Sequence, residues 1–159
     1  MGRVESINRS RGGVPKLPSA GGVITASGLH GDAQRDLRFH GGPHRAVSLY
    51  SLDLIAALQA EGHPIAPGTT GENLTLSGLE WAHLVPGAVL RLGEGIRLEV
   101  TSYAHPCANI RGSFADGQVA RISQKIHPGW SRVYARVLES GQVNVGDRVT
   151  LANAQRGDA

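Results

Sequence analysis

The chain has 159 residues, enough for one domain with a core of its own. Its single cysteine excludes an internal disulfide framework and points to a reducing compartment. The charge of +3 and pI near 9.5 are only mildly basic, no basic run occurs, and aromatic residues at 4% offer too few stacking platforms for nucleic acid. No apolar run reaches the length of a bilayer span, and the opening MGRVESINRS has no apolar stretch of a secretory signal. No membrane partner and a cytoplasmic address are therefore expected. The positive charge comes from fourteen arginines against two lysines. Guanidinium matches carboxylate and phosphate as a fork, so a small anionic ligand suits this composition.

In chain order, Val4–Ile7 reads as a first strand. GGVPKLPSAGG follows as an exposed loop holding Lys16 between prolines, and then a second strand comes at Val23–Ala26. A polar, glycine-punctuated stretch runs to a strand at Ala46–Tyr50. SLDLIAALQAEG predicts a helix near 52–61, with Ser51 as N-cap, Asp53 in the first turn, Leu54, Ile55 and Leu58 on one face, and Gly62 as its stop. NLTLS and IRLEVT alternate, placing Leu74 and Leu76, then Ile96, Leu98 and Val100, on single faces. LEWAHL suggests a short helical turn between them. DGQVARISQKIHPG predicts a second helix over 117–126, with Asp116 as cap and Val119, Ile122 and Ile126 in helical phase. RVYARV returns to alternation, and VNVGDRVTL closes the chain with Val143, Val145, Val149 and Leu151 in phase. About eight short strands spaced by glycine and proline turns predict a mostly-β sandwich or barrel rather than repeated βαβ units. One domain is expected over 2–152, with a flexible tail at 153–159.

Three stretches could carry chemistry. SYAHPCANIRG holds Cys107 two residues after His105 and four before Arg111. Pro106 biases His105 toward extended backbone, so a strand should end here and hand the chain to a loop. A thiol in such a loop, near histidine and arginine, is a nucleophile or soft-metal ligand; a buried free cysteine packing as a small hydrophobe is the competing reading. GDAQRDLRFHGGPHRAVSLY offers Gly41 and Gly42, whose backbone amides could form an anion nest, with His40, His44 and Arg45 as donors. His40 and His44 could instead be a metal pair, or the loop a plain surface loop. In TTGENLTLSGLEW, Glu72 and Asn73 stand where a turn becomes a strand, a place where Asn commonly serves the turn's own amides. No phosphate-binding or nucleophile-elbow glycine motif occurs, and no strong zinc spacing. A cysteine hydrolase using Cys107 and His105 lacks an evident orienting carboxylate.

Taken together, FHGGPHRAV, GENLTLSGL, HPC and the closing YARVLESGQVNVGDRV resemble the MOSC domain, the C-terminal domain of molybdenum cofactor sulfurases. The resemblance runs from VESINRSRGGVPK to GDRVTL in the family's motif order. It implies a closed or nearly closed β-barrel with two or three short helices. It also implies that Cys107 either ligates molybdenum of a pterin cofactor or carries persulfide sulfur, with His40, Gly41, Gly42, Arg45, Glu72 and Asn73 as cofactor-pocket residues and Lys16 and Arg111 as further candidates. The implied work is reduction of N-hydroxylated or N-oxygenated compounds, or sulfur transfer. The partners are a small-molecule substrate, a sulfur donor or acceptor protein, or a separate electron-donor protein. Pyridoxal phosphate, which the large sulfurases hold in another domain, is not expected here. A non-enzymatic module presenting an anionic-ligand pocket to a partner protein is the alternative.

Overall fold

In the computed structural model, which describes residues 2–10, 14–32 and 43–152, the alternating segments close on one another. The strands are β1 (Gly2–Arg9), β2 (Leu17–Ser19), β3 (Gly21–Thr25), β4 (Gly28–Leu29) and β5 (Val47–Ser51); then β6 (Leu74–Ser77), β7 (Val89–Leu92) and β8 (Ile96–Tyr103); finally β9 (Val133–Glu139), β10 (Gly141–Asn144) and β11 (Arg148–Ala152). The hydrogen-bonded order β11-β7-β8-β9-β5-β6-β1 returns to β11, so the sheet is a barrel, with β2 added to the end of β1. The closing seam pairs Gly2 with Val149 and Arg3 with Arg148. A second, three-stranded sheet, β10-β3-β4, lies beside it.

Period-two patterning explains the inside of the barrel. On β8, Ile96, Leu98 and Val100 are buried, as are Leu90 and Leu92 on β7 and Leu74 and Leu76 on β6. Removing such a side chain to alanine costs about 2–5 kcal/mol in a core of this kind. Strand β5 is buried at every position. It pairs in parallel with β6, and helix α1 (Leu52–Ala60) is the crossover between them, so the barrel contains one βαβ unit among otherwise antiparallel pairs. Ser51 caps α1 by accepting from the Leu54 amide at 3.1 Å. At the other end Gly62, with φ +99°, donates to Gln59 while His63 donates to Leu58, the paired bonds of a glycine-stopped helix.

Two expectations change. The second helix is only a 3₁₀ turn, Val119–Ile122, because Ser123 is already extended and Ile126 lies 58% exposed rather than continuing the buried face. The Asp116 side chain accepts from the Gln118 amide, so it serves a local turn instead of a helix. The last apolar run is two strands: β10 belongs to the small sheet and β11 to the barrel, and Val145 is exposed in the turn between them. The short turn in LEWAHL is present as a 3₁₀ helix at Trp81–His83. The tail at 153–159 lies outside the described residues.

Candidate functional site

Strand β8 ends at Tyr103, and the chain passes through Ala104 and the extended Cys107 into a 3₁₀ turn at Ala108–Ser113. The Ile110 amide donates to the Cys107 carbonyl at 3.1 Å. Cys107 itself is half-buried and free of any disulfide. Buried Ile110 and Phe114 anchor the turn beyond it. Phe114 meets the His63 ring edge-on at 5.4 Å, and the Ser113 hydroxyl donates to Thr69 at 2.9 Å. The thiol therefore sits on a segment pinned at both ends.

The residue doing most of the pinning is Arg132, which the sequence reading did not single out. It is buried, with 8% of its surface exposed, and its guanidinium donates to the Thr70 carbonyl at 2.7 Å and, more weakly, to the His105 carbonyl at 3.4 Å. Its own carbonyl accepts from the Ala104 amide at 2.9 Å. One cation thus ties the Cys107 loop to the glycine turn before Glu72. Its Nε is buried without a partner, and among the described residues no carboxylate pairs with it.

Beside it is Tyr134, also buried although alternation would place it outward with Arg136. The Arg45 guanidinium lies 5.5 Å from its ring centroid. Burial holds the Tyr134 hydroxyl above its ordinary range; the positive charges of Arg132 and Arg45 oppose that shift, and Cys107 adds to it. Arg45, Tyr134, Arg132 and Cys107 therefore share one electrostatic neighbourhood. Arg111 and His105 are exposed on the same loop. His44 is exposed, and its carbonyl accepts from the Thr101 hydroxyl.

Glu72 and Asn73 are fully buried. The Glu72 carboxylate accepts from the Gly68 amide at 3.0 Å and from the hydroxyls of Thr70 at 2.7 Å and Thr75 at 2.9 Å. Asn73 accepts from the Ser48 amide at 3.0 Å and donates to the Asp32 carboxylate at 2.9 Å. Lys16 corrects the expectation of an exposed loop. It is 5% exposed because its ammonium is held by Asp32 at 2.6 Å, while its amide donates to the Gly68 carbonyl at 2.9 Å. Gly68, at φ +85°, permits that approach: a Cβ there would lie 2.3 Å from the Lys16 carbonyl oxygen. His40, Gly41 and Gly42 lie outside the described residues.

Asp32 and Arg132 are thus the residues that sequence reasoning missed. Asp32 gives no local signal, since its partners are Lys16 and Asn73, far along the chain. Arg132 opens an alternating run in phase with Arg136, which reads as an outward face. Among the described residues no group of three His, Cys, Asp or Glu side chains could hold a metal ion.

A barrel that presents a half-buried thiol at the exit of one strand, on a loop bonded to a buried arginine, has counterparts among known proteins. Residues 36–150 match the MOSC domain, and the chain belongs to that family. YflK of Bacillus subtilis, an uncharacterized protein, is 31% identical over 141 residues, covering 87% of this chain and 62% of its own length. A protein of Gibberella moniliformis named as a reductase is 30% identical over 132 residues, 80% of this chain but only 23% of that one. This chain therefore spans less than two thirds of these relatives. The crystal structure of YuaD from Bacillus subtilis superposes with a TM-score of 0.74 at 20% identity, covering 95% of this chain and 96% of YuaD, which speaks to the fold alone.

Proposed function

We propose that this MOSC protein binds a molybdenum–pterin cofactor with Cys107 as thiolate ligand and reduces N-hydroxylated or N-oxygenated small molecules. The carrying observation is the half-buried, disulfide-free thiol of Cys107, held on a loop clamped by Arg132. The donor set suits that group. A single soft thiolate fits a metal that arrives with sulfur ligands of its own, and the unpartnered Arg132 Nε and the nearby Arg45 form a basic surround for an anionic cofactor. When bound, the group supplies a centre that cycles by two electrons. For an N-hydroxylated amine the balance is two electrons and two protons in, with the N–O bond broken, amine and water out. The electrons come from a separate donor protein. In this chain Cys107 would hold the group, with Arg132 steadying its loop and Arg45 and Tyr134 as neighbouring donors.

Lys16, Glu72 and Asn73 contribute at one remove, by holding the turn to which Arg132 is bonded. Support for the reductase over the sulfur-carrier reading comes from the fungal relative's name, although this chain covers a small part of that protein. The test is metal and pterin analysis of protein made in a cofactor-competent host, with cyanide-labile sulfur measured in parallel. Stoichiometric molybdenum and pterin, lost in Cys107→Ser, is the expected result. Labile sulfur without metal would replace this reading with a persulfide carrier. Absence of both from folded protein would leave the non-enzymatic binding module.

A further inference from the structure

A second basic site lies at the other end of β8. The turn between β7 and β8 and the neighbouring β11 border a cleft of about 350 Å³ lined by Arg91, Arg97, Arg148, Glu94 and Glu139. It is separate from the Cys107 loop: Arg97 and Tyr103 are six residues apart on one strand, roughly 20 Å at strand rise. The sheet register builds it. Arg91 faces Arg97 directly across β7 and β8, and Arg97 faces Glu139 across β8 and β9. Like charges opposed across a strand pair repel, and Glu139 offsets only the Arg97 side of this pair.

Glu139 is committed to Arg97, with Nη1 to Oε1 at 2.8 Å, and the Arg97 Nε is buried without a partner. Arg91 and Arg148 make no ion pair among the described residues. Glu94 is the one remaining acid in the lining against those two guanidiniums, so the cleft is net basic. Gly95 leaves its part of the turn open, since a Cβ there would meet only open space, whereas a Cβ on Gly93 would lie 3.1 Å from the Asp147 carboxylate. Three guanidiniums from adjacent strands around one opening match the fork-wise recognition of phosphate oxygens.

We propose that this cleft binds a compact polyanion with the chemistry of pyrophosphate, the phosphorylated end of a small metabolite, independently of the Cys107 site. The test is isothermal titration calorimetry of the whole chain with inorganic pyrophosphate at low ionic strength, against malonate as a carboxylate control. A single saturable site is expected, with a dissociation constant of about 1 mM or tighter. Arg91→Gln combined with Arg148→Gln should weaken it by roughly tenfold or more, and Arg91→Lys, which keeps charge but loses the fork, by an intermediate factor. No saturable heat, or binding untouched by the double variant, would overturn the proposal. So would binding lost with Arg45→Gln instead, which would move the anion to the Cys107 end, and malonate binding as tightly as pyrophosphate.

Discussion

Two buried polar regions meet at Thr70 and differ in how fully they are satisfied. Around Glu72, Asn73, Lys16 and Asp32, each side chain finds donors or acceptors from the protein itself, and no buried side-chain atom of these residues is orphaned. Around Cys107, Arg132 and Tyr134 there is a half-buried thiol, and a buried guanidinium nitrogen has no partner. Buried polar groups without partners are costly and persist where something other than stability needs them. The contrast separates a region whose buried polar atoms are all partnered from one that keeps an unpartnered donor.

The sharpest way to break this comparison is Glu72→Ala. It strands one amide and two hydroxyls at a fully buried position, and a loss of about 3–5 kcal/mol is expected in urea unfolding with unchanged m-value. A loss below about 1 kcal/mol would mean the region is not the saturated support described here. Lys16→Met should cost slightly less, about 3 kcal/mol, because Asp32 loses its cation but keeps the Asn73 and Ser10 donors. Adding Asp32→Asn to Lys16→Met should recover part of that loss.

Cys107→Ser should fall at the opposite extreme for stability, within about 0.5 kcal/mol of the parent, while removing bound molybdenum or labile sulfur. A buried core thiol would instead show a cost of about 1–3 kcal/mol from the stranded hydroxyl. The smallest effect belongs to Glu61 on the surface, whose carboxyl is held below its usual range chiefly by the hydrogen bond from Arg121. A depressed carboxyl stabilises the fold above its unfolded pKa, and that contribution disappears as pH falls through the folded value. Arg121→Gln should therefore lower the melting temperature slightly at pH values above the unfolded carboxyl pKa, leave the acid end of the profile little changed, and so flatten the limb between them.

How much was legible follows from which signals are local. Alternation along IRLEVT names the buried face of β8 because side-chain direction depends only on the strand's own period. Ser51 and Gly62 mark the ends of α1 because capping is settled within a few residues. The 117–126 segment carried a helical pattern, yet a short amphipathic segment is helical only when packing holds its apolar face, and Ile126 is left in solvent. Cys107 was singled out from its motif, and its half-buried position at the exit of β8 follows from the proline before it. The burial of Lys16 was not, since it depends on Asp32 arriving from another loop. Arg132 was hidden for a related reason: its partners, the Thr70 and His105 carbonyls, come from distant segments, and Arg45 packs over Tyr134, while Arg136 further along stays exposed and pairs with Glu99 at 2.5 Å.

The seam that closes the barrel has a mechanical consequence. Gly2 and Arg3 pair with Val149 and Arg148 in antiparallel register, so the beginning of β1 and the end of β11 lie at the same end of one short ladder. Tension pulling these two ends apart would load the seam pairs one after another, as a zipper is drawn, rather than all together in shear. Once parted, β1 and β11 would each bare a row of unpaired amides and carbonyls, the template on which a second opened chain could add its own strand. The weak direction of this barrel is therefore along the line joining the start of β1 and the end of β11.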